Sequence, residues 1–334
     1  MFKRLRIGLV ILVVAIAVGL VPVANATAAD EPNHQLLQTY EPVLVFHPQE
    51  PFRPTKVQSF VADSELERFT GSTPQQAVLD QFWTVVDPHP EPGELGSLGP
   101  GLYRLDQVGC SAAAPLAGRD CYAGAWSEGS GGGAVYGRVV RTATRIVLQY
   151  WLFYYDNPLL LPATPFGTFW QSHEGDWELV NVVLDSSGEP LEAAYSQHCS
   201  GQRRAWDDVE LRGGTHPVAY VALGSHASYF APGAGPLGLV PITCIPAFVP
   251  PLPFLQIADQ VLAGPTDRAT IHRIEDMPWS EFPGRWGESE YFFTPIALGP
   301  VPAGTAVPFG LAPASPRHQA NWNVDTVLSW PIAP

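Results

Sequence analysis

The sequence predicts a mainly β protein, an antiparallel β-sandwich with peripheral helices and long Pro-rich loops. Three observations carry this reading. Six runs rich in Val, Ile, Tyr, Phe and Trp follow one another between Tyr122 and Leu223, separated by Gly, Pro, Asn and Ser clusters. No helical periodicity alternates with them, which argues against a doubly wound parallel sheet. The composition, 46% hydrophobic and 15% charged with 10 Trp and 16 Phe, supplies the apolar surface that a disordered chain lacks.

The elements follow in chain order. Lys3, Arg4 and Arg6 precede an uncharged run from Ile7 to Val23, and Ala24-Asn25-Ala26 has the small-x-small pattern of a signal-peptidase site. Residues 1–26 read as a secretory signal peptide, with an uncleaved membrane anchor as the alternative. Residues 27–334 read as a single β-sandwich domain. Tyr40–His47 is a short β-type run stopped by Pro48, and Asp63–Phe69 and Pro74–Trp83 have helical character, the second with Pro at its first position. The six β runs are Tyr122–Trp126, Val135–Arg141, Thr144–Tyr155, Asp176–Leu184, Leu191–His198 and Pro217–Leu223, and Ser186-Ser187-Gly188 is a hairpin turn. Asn157–Ser172 reads as an uncharged Pro/aromatic loop. Gly213–Ala258 contains no Asp, Glu, Lys or Arg, and its Pro-interrupted second half cannot be a continuous helix or central strand. One reading sets residues 237–257 against a membrane or lipid. The other packs the stretch as a covering loop over the end of the sandwich.

Charge and cysteines bound the partners. The formal charge is −14, and loss of Lys3, Arg4 and Arg6 with the leader makes it −17. No basic cluster remains for a phosphate backbone, so a nucleic-acid partner is excluded. Export puts Cys110, Cys121, Cys199 and Cys244 in an oxidising compartment, and their spacing matches no zinc motif. Two disulfides are expected, Cys110 with Cys121 and Cys199 with Cys244, although four cysteines allow three pairings.

The sharpest local cluster is Ser172-His173-Glu174-Gly175-Asp176-Trp177-Glu178. If a strand begins at Asp176, Asp176 and Glu178 share a face and Trp177 takes the other. His173 precedes them in a turn freed by Gly175. Two carboxylates and an imidazole suit calcium, magnesium or manganese better than a structural zinc. The alternative is structural, with His173 capping the turn and the acids paired to Arg138 or Arg145. His173-Glu174 is not the start of H-E-x-x-H, since Trp177 stands where the second His is needed, and Gly224-Ser225-His226 lacks the nucleophile-elbow spacing. His198 and His226 lie at strand ends beside Gly or Ser turns and are the candidates to share the pocket. His34, His89, His272 and His318 have no such setting.

The ordered segments YEPVLVFHPQEPFRP, WLFYYDNP, HEGDWE, YSQHCSG, HPVAYVALGSHASY and FPGRWGE, spanning about Tyr40 to Glu288, resemble the vacuolar protein sorting protein 62 family. That family is similar in motif to the necrosis- and ethylene-inducing-peptide-like toxins, whose heptapeptide is G-H-R-H-D-W-E. The resemblance implies a β-sandwich holding a divalent ion, calcium or magnesium, through Asp156, His173, Asp176 and Glu178. Glu174 and Gly175 depart from the toxin heptapeptide, and the segment from Asp156 to His173 is longer, so toxin activity does not carry over.

The functional expectation is a secreted, disulfide-bonded protein that binds a divalent cation and uses it to hold a polar ligand such as a glycan or lipid head group. A metal-assisted hydrolase with His198 or His226 as general base is the second reading. A cytolysin-like membrane-active protein, resting on residues 237–257, is the third.

Overall fold

The computed structural model describes residues 31–73, 76–77, 79–110, 121–122, 133–164, 167–241, 258–293 and 306–333. The expected leader 1–26, residues 123–126, Cys244 and residues 242–257 of the uncharged stretch lie outside them. The described chain is mainly strand, in several sheets whose pairings are mostly antiparallel, as expected for a β-sandwich.

A first layer surrounds β1 (Val43–Phe46). A three-stranded meander follows, with β2 (Ser64–Phe69) between β3 (Trp83–Asp87) and β4 (Tyr103–Gln107). The largest sheet has six strands: β5 (Ala134–Arg141), β6 (Arg145–Thr164), β7 (Gly167–Asp185), β8 (Pro190–Gln197) and β9 (Ser200–Ala205) run antiparallel in sequence order. β10 (Leu211–Arg212), β11 (His216–Val221) and β12 (Ser228–Tyr229) return to the first layer, where β11 pairs parallel to β1. β13 (Leu239–Pro241) pairs with β14 (Ala258–Gln260), and β15 (Thr266–Asp267) closes on β1. β16 (Thr270–Arg273) adds to β5 as the sixth strand, in parallel. β17 (Glu290–Phe293) and β18 (Ala306–Gly310) form a separate pair.

The large sheet is covered on both faces, which is why β6 reads as an almost unbroken apolar run. Alternate β6 side chains serve the two faces. On one side the Tyr150 hydroxyl reaches Leu37 O at 2.9 Å on α1 (Glu31–Thr39), and Tyr195 of β8 reaches Val218 O at 3.0 Å. Leu44 and Phe46 of β1 join this principal core, while Val45 joins a second cluster with Val218 and Tyr220. On the opposite side Phe153 meets Trp286 at 5.3 Å, Trp151 meets Trp322 at 6.1 Å, and Val147 and Val183 pack on Val324.

Four expectations are corrected. Asp63–Phe69 is a strand: the helix, α2 (Val57–Ala62), lies one segment earlier and ends where Ser64 Oγ bonds Phe60 O at 2.7 Å. Pairing of β2 on both edges overrides the helix propensity of its Glu and Leu residues. Asn157–Ser172 is not a loop, because the β6–β7 ladder continues from Asn157↔His173 to Thr164↔Gly167. The β5 ladder ends at Leu152, and among the described residues no strand pairs with β6 opposite β7 at Pro158, a setting that tolerates proline. Of the second expected helix, Pro74–Trp83, the described residues 76–77 and Asp80–Phe82 are 3-10 turns and Trp83 begins β3, while Tyr122, expected in a strand, is helical with Cys121. The Ser186–Gly188 hairpin and the runs over β5, β8 and β11 stand as expected.

Candidate functional site

The acidic residues of the HEGDWE segment divide at Gly175. Its φ of +55° is left-handed, and a Cβ there would sit 2.1 Å from Trp286 O, so only glycine lets the 285–289 segment approach β7 this closely. Glu174 points at that segment, whereas Asp176 and Glu178 point at β8 and the β11–β12 turn.

On the Glu174 side, Asp106 of β4, Glu174 of β7 and Glu288 each offer an oxygen within 4.8 Å of the others. Glu174 is fully buried and held by three donors: Tyr122 Oη to Oε1 at 2.8 Å, and the amides of Glu288 (2.9 Å) and Gln107 (3.2 Å) to Oε2. Burial pushes its carboxyl up to about 8 against those hydrogen bonds, with the Glu288 charge adding to the rise. Asp106 is pushed up to about 9, first by burial and then by Glu174, although Arg104 at 3.1 Å opposes this. Gly287 (φ +125°) makes the approach possible, since a Cβ there would meet Glu174 Cβ at 2.2 Å. Among the described residues, three carboxyl groups thus converge with a single guanidinium, that of Arg104, beside Asp106, an arrangement that a cation would relieve.

On the other side lies a buried network of carboxylates and imidazoles. His226 Nδ1 is 3.0 Å from Asp176 Oδ2 and Nε2 is 3.5 Å from Glu50 Oε1, with the ring stacked on Tyr154 at 3.9 Å. Glu50 is fixed by the amides of Phe52 (2.9 Å) and Gly224 (2.6 Å). His198 Nε2 is 2.8 Å from Asp259 Oδ2, which also accepts from Tyr229 Oη at 2.6 Å, while Ser225 Oγ donates to Oδ1 at 2.8 Å. Ser196 Oγ donates to Glu178 and accepts from the Leu179 amide. The Tyr154 hydroxyl, fully buried beside Glu178, Asp176 and Glu50, has no hydrogen-bond partner among the described residues.

Charges here are strongly perturbed. Burial alone would lower both imidazoles, but Asp259 lifts His198 to about 9, and Glu50 and Asp176 lift His226 to about 10. Burial and then Asp176 raise the Glu178 carboxyl to about 8. His198 (φ +55°) and His226 (φ +54°) are the only non-glycine residues in the left-handed region among those described. Backbone held there by its surroundings is a mark of functional segments.

The structure therefore redistributes the residues singled out in the sequence. Asp176, Glu178, His198 and His226 share one network. His173 does not point its nitrogens there: Nδ1 donates to Gly175 O at 2.7 Å and Nε2 meets Asn157 Nδ2 at 2.9 Å. Asp156 pairs across the ladder with Glu174 and is fully buried. Arg138 and Arg145 take no part, since Arg138 bonds Gln149 and Trp322 O and Arg145 bonds Thr144 O. Ser225 and His226 diverge, as adjacent strand-end residues should. Asp106 and Glu288, the partners of Glu174, were not singled out in the sequence. The Cys110–Cys121 disulfide is present as expected, and Cys199 is also disulfide-bonded.

No protein-family model and no curated protein matches the chain, so sequence comparison lends the vacuolar protein sorting protein 62 resemblance no support. Solved structures of toxin-fold proteins do resemble it. NLPPya in complex with mannosamine is 13% identical over 75% of this chain and 78% of its own, with a TM-score of 0.35. The non-toxic HaNLP3 protein is 16% identical over 73% and 75%, with a TM-score of 0.33. Necrosis and Ethylene inducing Protein 2, from the causal agent of cocoa's witches' broom disease, is 17% identical over 59% and 67%, with a TM-score of 0.28. At these values the likeness carries no inference about chemistry, which rests on this chain's own side chains. Among the described residues, no helix is long and apolar enough to cross a membrane.

Proposed function

We propose that the chain is a secreted, divalent-cation-binding β-sandwich protein that seats calcium on Asp106, Glu174 and Glu288 and holds a polar ligand, a glycan or lipid head group, in the neighbouring Asp176, Glu178, His198 and His226 pocket. The observation that carries the cation is the mutual 4.8 Å limit on the three oxygens. Two ligands on one calcium, each about 2.3–2.6 Å from it, lie at most about 5 Å apart, whereas the about 2.0–2.1 Å bonds of magnesium demand a tighter cage. The orphaned Tyr154 hydroxyl supports a polar ligand in the second pocket. Binding is favoured over hydrolysis because His198 and His226 are each engaged by buried carboxylates, Asp259 for the first and Asp176 with Glu50 for the second, which raise them to about 9 and about 10 and disfavour the neutral form that a general base needs.

A second reading places the ion on Asp156, His173, Asp176 and Glu178. Its support is the convergence of Asp176 and Glu178, but it requires His173 to leave Asn157.

One experiment separates the two. Thermal melts of the oxidised protein with chelator, calcium, magnesium, manganese and zinc are run beside Asp106→Asn, Glu288→Gln, Asp176→Ala and Glu178→Ala. Binding to the native state raises the midpoint by mass action. A calcium-specific rise lost in the first two variants and kept in the last two supports the proposed seat. The opposite pattern supports the second reading, and no shift with any ion refutes both.

A further inference from the structure

The proposed seat is assembled from distant chain segments, and two of them are joined covalently. Cys110 is bonded to Cys121. Just before Cys110 lie Asp106, a member of the seat, and Gln107, whose amide donates to Glu174 Oε2 and whose carbonyl accepts from the Cys110 amide at 3.1 Å. Directly after Cys121 comes Tyr122, fully buried, with its hydroxyl on Glu174 Oε1 at 2.8 Å. The disulfide thus brackets donors to both oxygens of the central carboxylate.

The two donors are not equally dependent on the bridge. Gln107 is anchored within β4 and by its own side chain, which donates to Phe60 O at 2.8 Å and Ser64 Oγ at 2.6 Å. Tyr122 is joined directly to the bridged Cys121, whereas Gln107 stands three residues from Cys110. We propose that Tyr122 is the positioning residue of the cation seat and that the Cys110–Cys121 disulfide holds it in place, so that calcium affinity depends on oxidation of the chain. This rests on the seat assigned above. A Glu174 side chain released from Tyr122 must be ordered by the ion itself, which weakens binding through lost rotamer entropy. Opening the bridge takes two electrons and two protons: a dithiol gives up its two thiol hydrogens and closes to its own disulfide, leaving Cys110 and Cys121 as thiols.

The test is calcium titration by calorimetry on the oxidised full chain, Tyr122→Phe, the Cys110→Ser/Cys121→Ser double variant, the triple variant and Asp106→Asn. The serine variant replaces chemical reduction because a reductant also opens the bridge at Cys199. Tyr122→Phe and the double variant are each expected to weaken the Kd by about tenfold, the lower end for residues that orient a metal ligand. The triple variant is expected to be no weaker than the double, since both changes remove one hydrogen bond; two independent structural losses would instead multiply. Unchanged affinity in Tyr122→Phe overturns the proposal, and that variant decides alone if the serine variant does not fold. Unchanged affinity in Asp106→Asn overturns the seat itself, whereas abolished binding there with normal binding in the other variants overturns only the role of Tyr122 and the disulfide.

Discussion

Replacing Asp259 by Asn tests the charge network most directly. The carboxylate is fully buried and receives three hydrogen bonds, from His198 at 2.8 Å, Ser225 at 2.8 Å and Tyr229 at 2.6 Å. Asparagine keeps the shape, removes the charge and turns one acceptor into a donor facing a donor. Each hydrogen bond to a charged group is worth about 1.5–3 kcal/mol, and breaking a buried ion pair costs about 3–5 kcal/mol. Because these overlap, the expected loss is about 3–5 kcal/mol, a fall in Tm of roughly 6–15 °C. The pH dependence has a definite sign. His198 rises from 6.5 to about 9, so its contribution is full below 6.5 and is lost as pH climbs through 9. Asp259 lies below its ordinary 3.8, because His198 and the hydroxyl donors outweigh burial, so its contribution is present above 3.8 and lost in stronger acid. The deficit of the variant should therefore be largest between about pH 4 and 6.5 and shrink toward pH 9. Calorimetric unfolding at pH 5.5, 7.5 and 9.5 measures it. A variant as stable as the parent at pH 5.5, or a deficit that widens with pH, refutes the assignment.

Other expectations follow from the same geometry. Gly175→Ala should cost about 1–2 kcal/mol for the left-handed conformation alone, before any shift away from Trp286 O, and should shift the Tm downward without calcium present. His226→Phe keeps a ring against Tyr154 but strands Asp176 and Glu50; denaturant unfolding should show a loss of about 3–5 kcal/mol, and parity with the parent would mean that the buried carboxyls need no counter-charge. Intact-mass analysis of protein expressed from the full sequence in an exporting host should find Thr27 as the first residue; a chain retaining 1–26 contradicts the export reading.

The strands of the large sheet were legible because both faces are buried, so β5, β6, β7 and β8 announce themselves as β-branched and aromatic runs. Where local composition and long-range pairing conflict, the sequence misleads. Glu65, Leu66 and Glu67 read as helical until β3 and β4 claim both edges of β2, and Pro158 reads as a loop until the β5 ladder is seen to end before it. The same division governs the site. Asp176 and Glu178 were visible as a same-face pair because they are two apart, and His198 and His226 because strand-end turns flank them. Asp106 and Glu288 were invisible, since no local spacing links them to Glu174.

What brings them together is backbone conformation at two glycines. Gly175 turns Glu174 away from the face of Asp176, and Gly287 lets the segment carrying Glu288 lie against it. Each glycine stands in a segment singled out by its motif, HEGDWE and FPGRWGE, but a sequence reports that a glycine is present, not that its φ is positive. The consequence is chemical as well as geometric. An undistorted strand would have placed Glu174, Asp176 and Glu178 on one face, three like charges in one low-dielectric pocket. The left-handed residue divides that burden, sending one carboxylate to a carboxylate cluster flanked by Arg104 and two to a network that already contains His198 and His226. The proposed cation seat and ligand pocket would therefore be separate yet carried by β7 residues on either side of Gly175, so an ion bound at the first would influence the second through β7.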